Sequence, residues 1–234
     1  MDNGRIGYFI AMVVATIAAG LLYRRDNRST LSTEQRLGIA IGGVVGATFF
    51  AKLPFLFSSG SPAAFWFGDG KTVLWGLAGG YLGVEVAKWS LYVRCRTGDR
   101  FVVPVAVAIG LGRFGCLFNG CCYGVPTDGS WGFSSAVFAS DTVARHPAPL
   151  YESVFHLAFA AAAAIGTRRG LCRDLWMLIY LVSYCVFRFV SETWRCEPEL
   201  AYGLTFYQYS SIVIGFIFSL LLIRRTPSAL PGTD

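Results

Sequence analysis

The sequence predicts an all-α, polytopic membrane protein with seven transmembrane helices, and three observations predict it. Of its 234 residues 54% are hydrophobic and only 15% charged, and the mean hydropathy is +0.52, too apolar for an ordinary water-soluble domain. The apolar residues form long runs between short polar gaps, a pattern that fits membrane crossings better than half-buried strands or helices. The basic residues lie mostly in those gaps and favour alternate ones. Disordered, collagenous and coiled-coil classes are thereby excluded. A net charge of +6 does not by itself signal nucleic acid, because that reading needs the bases on one solvated face.

A helical crossing takes about 17 to 25 apolar residues, which gives seven spans in order. They are Gly7 to Tyr23, Leu37 to Phe57, Thr72 to Val93, Phe101 to Phe118, Pro149 to Gly166, Leu175 to Glu192 and Tyr202 to Ile223. Each is read as a helix, since lipid offers the backbone no partner outside a helix or a closed barrel. The first resembles a signal peptide, but Asp2 cancels Arg5 and arginines follow the apolar stretch, so it is read as an uncleaved span. The alanine run Ala160 to Ala164 in the fifth permits close helix packing. The chain is expected to form one transmembrane domain, 1–234, in which 119–147 is an outward-facing loop with turns at Gly124, Pro126, Asp128, Gly129 and Gly132.

Orientation follows from the loop charges. The gaps after spans one, three and five and the C-terminal tail hold twelve arginines: Arg24, Arg25, Arg28, Arg36, Arg94, Arg96, Arg100, Arg168, Arg169, Arg173, Arg224 and Arg225. The opposite side holds four basic residues, Arg5, Lys71, Arg145 and Arg195. The positive-inside rule then places the N-terminus outside and the C-terminus in the cytoplasm.

Four basic residues remain inside spans, where a central charge costs on the order of 2.5 to 3.5 kcal/mol on insertion scales. Lys88 stands at i+3 from Glu85 and Lys52 can snorkel, so neither requires a role in chemistry. Arg113 and Arg188 lie near the outer ends of spans four and six, at roughly 6 to 8 Å depth. Two guanidinium groups at equal depth repel unless an anion lies between them, and a phosphate matches their planar donor fork. The alternative is separate pairing with carboxylates such as Glu152 and Glu192. Asn119, His146, Tyr151, Glu152, Glu192, Arg195 and Gln208 fall at the same level, and Glu192 shares a helix face with Arg188. His146 is either a general base or a boundary histidine.

Seven cysteines without a Cys-x-x-C pair argue against a disulfide framework. Cys116, Cys121 and Cys122 cluster beside Arg113, and positive charge activates thiols. Their spacing fits no standard zinc pattern, so no metal ligand is expected.

The segment Gly112-Arg113-Phe114-Gly115-Cys116-Leu117-Phe118-Asn119-Gly120-Cys121-Cys122-Tyr123-Gly124 resembles the signature of the bacterial prolipoprotein diacylglyceryl transferases, seven-span inner-membrane enzymes. Arg145-His146-Pro147, Leu150-Tyr151-Glu152, and Phe187-Arg188-Phe189 with Glu192, Arg195 and Pro198 look like that family's later motifs in the same order. The resemblance implies transfer of a diacylglyceryl group from phosphatidylglycerol to the thiol of a lipobox cysteine in a secreted precursor peptide, with glycerol phosphate released. It implies no cofactor. Arg113 and Arg188 match the arginines that grip the phosphodiester, and Gly124 and Tyr151 match positions near the site.

The catalytic candidates are therefore Arg113, Arg188, His146 and Glu192, and the substrate-binding candidates are Asn119, Gly124, Tyr151, Glu152, Arg195 and Gln208. Expected partners are phosphatidylglycerol, a cysteine-bearing precursor and membrane lipids, with no nucleic acid. The sequence departs from the family pattern in three places. Where the family usually has a His-Gly-Gly element entering span three, the region reads Trp75-Gly76-Leu77-Ala78-Gly79-Gly80-Tyr81-Leu82-Gly83 with no histidine, the asparagine after Arg-x-Gly is Cys116, and the acidic residue after Asn-Gly is Cys121. Two alternatives stay open: an outward-facing thiol or redox protein, and a phospholipid-binding protein without chemistry.

Overall fold

In the computed structural model, residues 3–25, 31–55, 71–134 and 143–226 are described. Phe57, where the predicted second span ends, Arg28, and 135–142 of the predicted outer loop lie outside the described residues. The described chain is helical, with α1 (Asn3–Arg25), α2 (Thr33–Lys52), α3 (Val73–Ser90), α4 (Gly98–Phe118), α5 (Ala148–Arg168), α6 (Trp176–Ser191) and α7 (Phe206–Arg225). Each coincides with a predicted span. Five of them, α1, α2, α4, α5 and α7, are long and apolar enough to cross a membrane. The other two run 18 and 16 residues. α3 stops where Tyr92 turns left-handed and the Val93 N–H returns to the Lys88 carbonyl at 2.8 Å. α6 tightens into a 3-10 turn at Glu192–Trp194.

The chain divides into two compact units, 27–96 and 1–26 with 97–234. In the smaller unit α2 packs on α3 backbone to backbone. A Cβ on Gly46 would strike the Gly79 carbonyl oxygen, one on Gly83 the Gly42 carbonyl, and one on Gly42 would lie 2.7 Å from the Gly83 oxygen. Gly42-x-x-x-Gly46 facing Gly79-x-x-x-Gly83 is a small-residue seam of the kind that lets apolar helices associate through dispersion. Lys88 holds both Glu85 oxygens at 3.2 Å, as its spacing predicts. Lys52 is buried in the last turn of α2 rather than extended outward.

In the larger unit α4 lies against α1, α5 and α6, and α6 lies against α5 and α7. Ala160 and Ala163 of the alanine run are buried. The Asp99 carboxylate at the start of α4 accepts the backbone N–H groups of Asp174 and Trp176 at 2.7 and 3.0 Å, satisfying donors at the start of α6. Phe9, Ile17, Val186, Val213, Phe216 and Ile223 stay exposed. Such apolar outer faces suit lipid rather than water.

Candidate active site

At one end of the larger unit the C-terminal turns of α4 and α6 meet the first turns of α5. Glu152, 1% exposed, is the centre of this meeting. Arg113 contacts its Oε2, while Arg188 Nη1 and Arg195 Nη1 reach its Oε1 at 3.0 and 3.2 Å. Arg188 also pairs through Nη2 with Glu192 at 2.8 Å, and the Thr205 hydroxyl donates to Glu192 at 3.0 Å. Tyr207 lies under the Arg188 guanidinium, 5.0 Å from ring centroid to Cζ, a contact of cation–π type.

The sequence reading of the arginines is thus half corrected. Arg113 and Arg188 do converge on an anion, but the anion is the carboxylate of Glu152, and their pairing is shared rather than separate. A single carboxylate cannot neutralise two guanidiniums, and a third joins them. Three arginines against Glu152 and Glu192 leave one positive charge over, and the buried Nε atoms of Arg113 and Arg195 carry no hydrogen bond among the described residues. Buried charge of this kind persists only when paired or when it receives a ligand.

The loop after α4 pairs with the segment after α6 that carries Arg195. Gly124 forms an antiparallel bridge with Arg195, the Val125 N–H reaches the Trp194 carbonyl at 2.9 Å, and the Gly124 N–H reaches the His146 carbonyl at 2.8 Å. A Cβ at Gly124 would collide with the Trp194 carbonyl oxygen, so glycine there is a condition of the bridge. The predicted loop is therefore partly ordered, with further bridges between Arg145 and both Pro126 and Phe133.

The other candidates fall outside the ionic cluster. His146 stacks on Trp194 and meets the Tyr151 hydroxyl through Nδ1 at 3.1 Å. Its other ring neighbour is the Tyr151 ring, with centroids 6.2 Å apart. Asn119 is exposed at the C-cap of α4. Gln208 closes the capping box of α7, accepting the Thr205 N–H at 2.9 Å and donating to the Phe189 carbonyl at 3.4 Å; its polar atoms serve a helix terminus.

His156 escaped the sequence reading. It stands one turn after Glu152, fully buried, with Nδ1 2.6 Å from the Tyr180 hydroxyl and its ring 4.8 Å from that of Tyr184. The i,i+4 spacing from an intramembrane glutamate was the available signal. Tyr184 also reaches Glu152, at 3.5 Å.

The three cysteines gather at the mouth of this cluster, their sulfurs within 4.8 Å of one another. Gly120 (φ 66°) and Cys122 (φ 65°) turn the chain left-handed just past α4, bringing the Cys121 N–H to the Cys116 carbonyl at 3.1 Å. For Cys122 that conformation costs about 1 kcal/mol. Hydrogen bonds from Cys116 and Cys121, then the charges of Arg113 and Arg195, hold the Cys122 thiol well below the usual range.

Comparison with known proteins decides the family. The profile described as prolipoprotein diacylglyceryl transferase matches residues 5–224. The chain belongs to the prolipoprotein diacylglyceryl transferase family. A phosphatidylglycerol–prolipoprotein diacylglyceryl transferase of Clostridium tetani is 26% identical over 238 residues, covering 94% of each chain. That of Geobacter sulfurreducens is 30% identical over 236 residues, covering 94% of this chain and 88% of the relative. A third, from Francisella tularensis subsp. novicida, is 26% identical over 225 residues, 93% of this chain and 80% of the relative.

Proposed function

We propose that this protein is a membrane transferase that moves the diacylglyceryl group of phosphatidylglycerol onto the thiol of a cysteine in a secreted precursor. The observation that carries the reading is the convergence of Arg113, Arg188 and Arg195 on two carboxylates with one positive charge in excess. A phosphodiester monoanion balances that charge. As the thiolate attacks the glyceryl carbon, the C–S bond forms and the C–O bond to phosphate breaks, and the leaving glycerol phosphate gains a second negative charge. Fixed guanidinium donors stabilise that growing charge more than the ground state, which is the condition for accelerating the step. Glu152 and Glu192 hold the forks in place while the phosphate competes for them.

The seven helices are read as seven spans of the bacterial inner membrane, with the ionic cluster toward the outer face, where both phospholipid headgroups and secreted precursors are present. Reporter fusions after Arg96, Arg169 and Arg225 are expected to read cytoplasmic, and fusions near Lys71, Asp128 and Glu197 external. A cytoplasmic reading at Asp128 would put the site in the wrong leaflet. The activity itself is tested with purified protein, labelled phosphatidylglycerol and a lipobox peptide. Lipidated peptide and glycerol phosphate are the expected products; their absence with phosphatidylglycerol still bound would reduce the protein to a lipid binder.

A further inference from the structure

We propose that Cys116, Cys121 and Cys122 hold one zinc ion, and that its fourth coordination position takes the thiol of the acceptor peptide. Sequence spacing alone argues against a zinc site, because Cys-x4-Cys-Cys matches no zinc pattern. The fold supplies what the spacing lacks. The left-handed turn at Gly120 and Cys122 brings the three sulfurs within 4.8 Å of one another. Three sulfurs about a zinc ion at about 2.3 Å stand roughly 3.8 Å apart, so the cluster needs to contract by at most about 1 Å.

The surroundings suit such a site. Cys116 and Cys121 are half-buried and Cys122 is exposed, which gives an ion and a peptide a way in. Arg113 Nη1 lies 3.8 Å from Cys116 Sγ, so the three sulfurs stand beside the guanidinium that the lipid phosphate is read to meet. Three protein ligands with one open position is the arrangement of catalytic rather than structural zinc.

The inference rests on the transferase reading and answers a question that reading leaves open, namely how the acceptor thiol is ionised. A thiol entering the fourth position displaces water and gives its proton to solvent, since a zinc-bound thiol is deprotonated outright. The bound sulfur then attacks the glyceryl carbon of the lipid gripped by Arg113. The C–S bond forms, the C–O electron pair leaves with the phosphate oxygen, and the product thioether, a poor zinc ligand, gives way to water.

The test uses the full chain, purified in detergent and reduced. Cobalt(II) added to the metal-stripped protein is expected to bind one equivalent, displaceable by zinc, with a sulfur-to-metal charge-transfer band. Cys122→Ser should weaken the band and the triple serine variant abolish it. A cysteine-bearing lipobox peptide should strengthen the band, whereas its serine counterpart should not. This readout requires no turnover, so it stands even if no lipidated peptide is ever formed, the outcome that would sink the transferase reading instead. Stripping the metal should slow transfer about thirtyfold at neutral pH, the factor by which a thiol of pKa about 8.5 is under-ionised there. The deficit should shrink as pH rises through the peptide thiol's own pKa. No metal bound, a band that survives the triple substitution, indifference to the peptide thiol, or a deficit constant with pH would each overturn the proposal.

Discussion

The contact of α2 with α3 and that of α5 with α6 solve helix association in opposite ways. Between α2 and α3 the side chains are removed, and Gly42, Gly46, Gly79 and Gly83 let backbone touch backbone. Between α5 and α6 the side chains are large and many are polar. Phe155 stacks on Phe187 at 4.5 Å, His156 meets Tyr180, and Arg188 reaches across to Glu152. The first contact gains close packing at no electrostatic cost and offers no chemistry. The second keeps charges in a place that penalises them, and holds them by making each the other's partner.

Six substitutions break or sharpen that contrast, and the largest effect is expected at its ionic end. Glu152→Ala leaves three guanidiniums without their shared counter-ion and should cost about 3 to 5 kcal/mol, seen as a collapse of the melting transition in detergent. A variant that melted normally would show that the arginines do not depend on Glu152. Arg113→Lys and Arg188→Lys keep charge but lose the fork, so transfer from phosphatidylglycerol should fall about a hundredfold or more while membrane insertion is retained. Full activity in both would mean that charge balance alone is their task.

At the glycine seam, Gly46→Val should lower the melting transition by the equivalent of about 1 to 3 kcal/mol, because its side chain meets the Gly79 carbonyl. Gly20→Ala is the control. Nothing lies within 4 Å of its added carbon, so a comparable loss there would show that helix glycines matter for some reason other than contact. The smallest effect belongs to Tyr180→Phe, which removes the hydroxyl facing His156 and should cost about 1 kcal/mol. An unchanged melting curve in that variant would mean the His156 contact contributes nothing to holding α5 on α6.

The helical class and the positions of the helices were legible because apolar run length is a one-dimensional quantity. Every predicted span coincides with a helix, and the early ends of α3 and α6 came from local turns that hydropathy does not register. Arg113, Arg188, Glu152 and Glu192 were also legible, since a charge inside an apolar run stands out wherever it falls. The sequence did not say which carboxylate would serve which arginine. That depends on the crossing of α4, α5 and α6, which puts residues 113, 152 and 188 within ion-pair reach.

Gln208 and His146 show what chain position leaves open. Position along the chain does not reveal that Gln208 turns back to cap its own helix or that His146 meets Tyr151. The sequence alone determined which residues are too polar for lipid, because transfer free energy belongs to the residue. Only the tertiary structure decided their partners, because pairing depends on distance in space. The three cysteines are the clearest case: their spacing matched no site, and left-handed backbone at Gly120 and Cys122 brought them together.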